Sequence, residues 1–325
     1  MDGNLMTAIY AVLIAFAVSA GLCPLLIPIL VRLKFGQNVR GDGPQTHLKK
    51  AGTPIMGGIV IVIGLLAASL LFMDGDGDIV AVLLVTAGFG VIGFIDDYLK
   101  MVKKRSLGLR AYQKIILQLT VTAVFVFCLH GGKEAQTSFY IPFTENKYID
   151  LGMFYYPLVF ITMIGAVNSV NLTDGLDGLA AGVTVLVSSF FLFVSLGLKS
   201  GLFSVNGAAV GALLGFLLFN SHPAKIFMGD TGSLALGGLV ASVAVILRMP
   251  LVLFIVGIIY VAEAVSVILQ VGFFKLTKGR RIFKMAPIHH HFEKQGWQET
   301  RIVAVFYIIT AIACLIGFIA VRNIF

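Results

Sequence analysis

Charge is scarce in this sequence. Asp, Glu, Lys and Arg make up 12% of its 325 residues, where a soluble domain carries about 25%. Hydrophobic residues reach 58%, which excludes a disordered chain and points to a membrane class. Cysteine is also rare. Cys23, Cys128 and Cys314 each lie inside an apolar run, with no CxxC or Cys/His zinc spacing, so they read as buried thiols rather than a disulfide frame or metal site. Residues 1–31 contain no Lys or Arg, and the apolar run Leu5–Val31 is longer than a signal-peptide core. That excludes a cleaved secretory signal and leaves a first membrane span. Repeats, low-complexity tracts and any soluble domain of about 50 residues are missing too.

What is present is a series of long apolar runs. A span needs about 20 such residues, and about ten candidates emerge: 5–31, 54–73, 79–95, 112–130, 153–170, 179–198, 203–220, 232–247, 250–273 and 302–321. The weakest boundary is Arg248-Met249-Pro250, where the proline marks either a tight turn or a kink. Charge decides it. With ten spans, 19 of the 24 Lys and Arg residues fall on one side. The positive-inside rule makes that side cytoplasmic and puts both termini outside. Merging the spans at Pro250 would send the most basic loop outward. The expected cytoplasmic loops are 32–53, 96–111, 171–178, 221–231 and 274–301, and residues 1–325 form a single polytopic domain. The fold class is all-α integral membrane, with a small β-hairpin in the outward loop 131–152. The net charge of +8 is explained by topology and anionic lipid, so no nucleic-acid partner is expected.

The carboxylates are more informative than the basic residues. Asp74, Asp76 and Asp78 resemble part of a calcium loop but lack its remaining spacing and closing Glu, and they read as a solvated turn. On the inner side, Asp96 and Asp97 end the third span, Asp174 and Asp177 follow the fifth, and Asp230 precedes the eighth. Five carboxylates at one depth repel one another unless a cation sits among them. Hard oxygen ligands favour Mg²⁺ or Ca²⁺, and Mg²⁺ is usually held by one or two carboxylates plus substrate phosphates. The competing reading is that each Asp caps a helix start. The loop after the fifth span has no Lys or Arg, so it does not serve topology. Loop 274–301 carries His289, His290 and His291 after a basic stretch, which suits metal ligation or phosphate binding. Arg280, Arg281 and Lys284 either set topology or steer an anion. Glu263 lies deep in a span, as a functional group or as a structural hydrogen-bonding one.

Four segments carry a resemblance: Asp96-Asp97-Tyr98-Leu99-Lys100, Asn168 through Asn171-Leu172-Thr173-Asp174-Gly175-Leu176-Asp177-Gly178 to Gly182, Phe227-Met228-Gly229-Asp230-Thr231-Gly232-Ser233, and Pro287-Ile288-His289-His290-His291-Phe292-Glu293. In order and spacing the chain resembles the bacterial phospho-N-acetylmuramoyl-pentapeptide transferases. The first three segments are shared with the wider polyprenyl-phosphate N-acetylhexosamine-1-phosphate transferases. The histidine segment points to the muramoyl-pentapeptide branch.

The resemblance implies ten helices and a periplasmic hairpin in the bacterial inner membrane, a cytoplasmic active site, Mg²⁺ and a homodimer. It implies transfer of phospho-MurNAc-pentapeptide from UDP-MurNAc-pentapeptide to undecaprenyl phosphate, giving lipid I and UMP. Asp96, Asp97 and Asp230 become catalytic, Asp230 as the principal Mg²⁺ ligand and either Asp96 or Asp97, Asp96 by preference, deprotonating or orienting the lipid phosphate. Lys49, Gly175, Leu176, Asp177 and Phe227 become the uridine pocket, with Phe227 stacking on uracil. Asn171, Asp174 and Asn220 flank the pyrophosphate, Lys100 and Lys114 hold phosphate oxygens, and His289, His290 and His291 face the phosphate or sugar. Two rivals remain. A cation-coupled transporter would keep its ionisable groups near mid-membrane, and a sister transferase would use UDP-GlcNAc.

Overall fold

In hydrocarbon every backbone N–H and C=O needs an internal partner, which leaves helices as the economical form for these apolar runs. The computed structural model describes residues 3–33, 52–73, 75–103, 108–129, 137–145 and 147–324. Lys49, most of loop 32–53 and Asp74 lie outside them. Among the described residues the order is α1 (Gly3–Arg32), α2 (Gly58–Leu71), α3 (Gly77–Val102), α4 (Ala111–Leu129), β1 (Ser138–Tyr140), β2 (Tyr148–Asp150), α5 (Tyr155–Thr173), α6 (Leu179–Gly197), α7 (Leu202–Asn220), α8 (Gly229–Ile246), α9 (Pro250–Val256), α10 (Ile258–Leu276), α11 (Ile288–Lys294) and α12 (Glu299–Ala320).

Nine of these helices are long and apolar enough to cross a membrane. The expected span at 54–73 is the shorter α2, with 14 residues. At about 1.5 Å per residue it covers only about 21 Å. The chain ahead of it completes the distance by pairing with the segment that leads into α8. The N–H of Gly57 donates to Phe227 O, that of Gly58 to Met228 O and that of Phe227 to Pro54 O, each at 2.8 Å. Non-helical backbone is tolerated at depth when it is paired inside protein.

α7 and α8 form the centre of the bundle. Within the apolar windows, 78% of α7 and 83% of α8 are buried, against 17% of α1 and α4 and 22% of α10. The second group therefore turns its apolar faces outward. α1 lies against α7 and α2, while α3 and α5 flank α8.

The hairpin expected in 131–152 forms, with Phe139 opposite Ile149 and Tyr140 opposite Tyr148. It is tied to the bundle. Tyr140 N–H donates to Arg248 O, Phe143 N–H to Ala320 O, and the Tyr140 hydroxyl to Ala320 O at 2.8 Å. The chain turns at Arg248, which has φ of +59°, and Pro250 opens α9 where its missing N–H costs nothing. Pro250 thus starts a new helix.

Some boundaries differ from the expectation. The span at 250–273 is two helices, α9 and α10, broken at Gly257. Asp96 and Asp97 were expected to open a loop, yet they lie inside α3, which continues to Val102. No Gly or Pro interrupts it there, and Asp96 pairs with Lys100 one turn on at 2.6 Å. Asn171 belongs to the last turn of α5 and Asp230 to the first turn of α8. The loop expected at 274–301 contains α11, which carries the three histidines.

Candidate active site

α3 and α8 cross at very short range because Gly93 has no side chain. A Cβ there would stand 2.1 Å from the carbonyl oxygen of Asp230. One turn further along α3, Asp97 reaches the exposed N–H groups at the start of α8. Its carboxylate accepts from Asp230 N–H at 3.2 Å, Thr231 N–H at 2.9 Å and the Thr231 hydroxyl at 2.8 Å. Asp97 is therefore an N-cap supplied by a different helix. The cap reading weighed for all five carboxylates fits this one.

Asp230 faces four neighbours from three helices. Lys100 Nζ of α3 lies 3.0 Å away, Lys114 Nζ of α4 2.8 Å, and the Asn171 amide of α5 donates at 2.9 Å. Asn171 also donates to the Ser233 hydroxyl at 2.8 Å. The fourth neighbour is Asp96, in another carboxylate trio. One oxygen from each of Asp96, Asp97 and Asp230 lies within 4.8 Å of the others. Lys100 bridges all three, at 2.6 Å from Asp96, 3.0 Å from Asp230 and 3.8 Å from Asp97. The other oxygen of Asp96 accepts Leu109 N–H at 2.7 Å. Three carboxyl groups thus meet two ammonium groups.

Oxygen donors this close fit a hard divalent cation. Asp97 spends its oxygens on the backbone and hydroxyl groups that open α8, whereas Asp96 and Asp230 share Lys100, an ammonium whose place between them a cation could take.

A second group surrounds the turn after α5. Asp177 accepts Ala224 N–H at 3.1 Å and lies 3.0 Å from His222 Nδ1, while its own N–H donates to Glu299 Oε1 at 2.6 Å. Asn220 accepts Gly178 N–H at 3.1 Å and donates to Ile226 O at 2.9 Å. Its amide thus staples two loops, and it is buried beside this turn rather than beside the Asp230 group. The Tyr307 hydroxyl donates to Gly178 O at 2.6 Å. Asp177, His222 and Glu299 also bring ligand atoms within 4.8 Å of one another. Leu176 is buried, and Phe227 is partly buried, its backbone paired with Pro54 and Gly57. Between the two groups sits Asp174. Burial and the negative charges of Asp230 and Asp97 push its carboxyl up to about 7, against the pull of the Gly229 N–H.

The three histidines do different jobs. His289 is buried, with Nδ1 3.0 Å from Glu263 Oε1. Its ring edge lies against Gly175, where a Cβ would come within 2.2 Å of Nε2. His290 Nδ1 lies 2.6 Å from Glu293 Oε2. His291 accepts Lys284 N–H at 3.1 Å and contacts Gln295 at 2.8 Å, which folds the loop.

Asp96, Asp97, Lys100, Lys114, Asn171 and Asp230 thus converge. Thr231 and Ser233 stood inside a quoted segment without a role. His222, Glu299 and Tyr307 gave no sequence signal, being single residues far from the segments they support.

The family model for glycosyl transferase family 4 matches residues 79–248, which span α3 to the turn before α9. Relatives named phospho-N-acetylmuramoyl-pentapeptide-transferase cover nearly the whole chain. One from Clostridium kluyveri is 52% identical over 314 residues, 96% of this chain and 98% of the relative. One from Clostridium botulinum is 53% identical over 319 residues, 97% and 96% of the two chains. One from Clostridioides difficile is 50% identical over 314 residues, 96% and 97%. The chain belongs to glycosyl transferase family 4 and, within it, to the phospho-N-acetylmuramoyl-pentapeptide transferases.

Proposed function

We propose that this protein transfers phospho-MurNAc-pentapeptide from UDP-MurNAc-pentapeptide to undecaprenyl phosphate, giving lipid I and UMP for peptidoglycan synthesis. The observation that carries the reading is the Asp96–Asp97–Asp230 trio held between Lys100 and Lys114 at one end of the bundle. Two polyanions must meet, and phosphoryl transfer is chiefly positioning and charge neutralisation. An oxygen of the lipid phosphate bonds to the sugar-linked phosphorus, and the bond from that phosphorus to the bridging oxygen breaks as UMP leaves.

Lys100 and Lys114 neutralise phosphate oxygens. Asn171 orients Asp230. Asp96, steadied by Leu109 N–H, orients the lipid phosphate and takes any proton it still carries. A phosphate monoester loses its second proton near pH 6, so a strong base is not needed. Asp230, with Asp96, would hold Mg²⁺, which would supply charge neutralisation at the pyrophosphate when bound. Gly175, Leu176, Asp177 and Phe227, with Lys49, form the uridine pocket. Asp174 flanks the pyrophosphate, Asn220 shapes that pocket from behind, and His289 and His290 meet the phosphate or sugar. His291 acts through the loop it folds.

An apolar groove supports the lipid acceptor. About 200 Å³ of space runs between α5 and α9–α10, walled by Ile161, Ala166, Leu253, Phe254, Tyr260 and Ile268. Ser169 also lines it, two residues before Asn171 at the trio. The charge asymmetry supports a bacterial inner-membrane location with the trio facing the cytoplasm and both termini outside. A homodimer is part of the proposal, and native mass spectrometry in detergent tests it.

The decisive assay offers radiolabelled UDP-MurNAc-pentapeptide or UDP-GlcNAc with undecaprenyl phosphate and Mg²⁺. Label should enter lipid from the first only, stop with EDTA and return with excess Mg²⁺. Transfer from UDP-GlcNAc alone overturns the substrate, and no transfer from either overturns the reading. The transporter alternative is disfavoured because the carboxylate trio lies at helix ends, with Glu263 the deeper exception.

A further inference from the structure

Glu263 and His289 form a fully enclosed pair, with side-chain exposures of 0% and 1%. Glu263 sits on α10 and His289 on α11, and they meet through Oε1 and Nδ1 at 3.0 Å. Glu263 Oε2 and His289 Nε2 have no hydrogen-bond partner among the described residues. Buried polar atoms normally find partners, so an orphan in a functional region asks for an explanation. Nε2 lies on the ring edge against Gly175, next to Asp174.

A purely structural reading is that the pair pins α11 to α10. The loop that leads into α11 already has a separate tie to α10. Gln270 Oε1 accepts Ile282 N–H at 3.1 Å and Phe283 N–H at 2.9 Å, and its amide donates to Phe283 O at 3.1 Å. The loop is held on α10 without Glu263.

Resting on the transferase reading above, we propose that Glu263 is a positioning residue for the transfer. Its carboxylate accepts the Nδ1–H of His289, fixes the ring, and stabilises the imidazolium that forms when the donor binds, so that Nε2–H, turned toward the Asp174–Gly175 turn, donates to an anionic oxygen of the phosphosugar donor. A carboxylate behind a histidine fixes both tautomer and ring orientation, and losing such a partner costs about 10–100-fold in activity. Gly175 is glycine here because any side chain would occupy the space in front of that ring edge.

The test uses the purified full-length protein. Glu263→Gln keeps an acceptor oxygen for Nδ1 but removes the charge. It should lower kcat about 10–100-fold, with KM for the nucleotide substrate changed less than about three-fold. The double variant E263Q/H289A should be no slower than H289A, within about two-fold, because both changes act at one group. A kcat for E263Q within about two-fold of the parent, or a multiplicative loss in the double variant, overturns the proposal. Should E263Q fail to fold, ring-¹⁵N NMR of the unmutated protein decides, with His289 assigned by the signals lost in His289→Asn. A proton on Nδ1 supports the proposal, and a neutral ring protonated only on Nε2 overturns it. If the parent itself transfers no label, the transferase reading fails, while the ring spectrum still reports on this pair.

Discussion

Thr231 closes on a single oxygen of Asp97 with both its backbone N–H and its hydroxyl, at 2.9 and 2.8 Å. The two residues are 134 positions apart and belong to helices that cross at Gly93. The contact gives Asp97 a task distinct from that of Asp230 although both are carboxylates of one trio. Asp97→Ala should lose stability as well as activity, by about 1–3 kcal/mol for a lost cap and an unsatisfied buried N–H. Asp230→Asn should cut turnover by about 100-fold or more with little change in Tm. Thermal unfolding in detergent beside the radiolabel assay separates the two, and an unchanged Tm in Asp97→Ala would count against the capping role.

Lys100 touches all three carboxylates, so its replacement should be felt strongly. Lys100→Met leaves Lys114 alone against three negative groups and should lower kcat/KM by about 100-fold. Lys100→Arg should not restore it, because a planar fork cannot take the place of a compact ammonium between three oxygens. Restoration to parental rates by arginine would show that charge alone matters.

Asp174 has a pH consequence with a definite sign. Its folded carboxyl is raised to about 7, above the unfolded value near 3.9. The unfolded chain therefore releases this proton first, and stability falls as pH rises from about 4 to about 7. In metal-free buffer, Asp174→Asn should flatten that part of the Tm–pH curve. A curve with the same slope in parent and variant refutes the assignment.

Gly93 gives a test of geometry alone. Gly→Ala in a helix interior ordinarily stabilises by about 1 kcal/mol. Here the new Cβ would meet Asp230 O at 2.1 Å. Gly93→Ala should instead destabilise by about 1–3 kcal/mol, the cost of overpacking, and depress turnover by shifting Asp230. Tm and kcat measured on one preparation check both.

Much of this site was legible in the sequence because helix ends alternate sides. Once the spans were placed, Asp96, Asp174 and Asp230 had to share one end of the bundle. The division of labour among them was not legible. Asp97 caps α8 because α3 crosses there, and that crossing depends on tertiary packing at Gly93 rather than on local propensity. Asn220 joins Gly178 to Ile226 through its amide, a pairing no spacing announces. The histidine run read as a unit, but α11 turns its members to different neighbours. Helix ends were also misplaced at Asp96 and Asp230, because polar residues paired with lysine or capped across helices extend a helix past its apolar run.

The partners of Asp230 carry one more implication. They arrive from α3, α4 and α5, each by a separate pass through the bundle. A misthreaded or displaced helix would leave Asp230 short of one of these partners. The cluster thus doubles as a register mark for assembly: it is complete only when three separate passes end at the same depth, so correct threading and a complete candidate site are one condition.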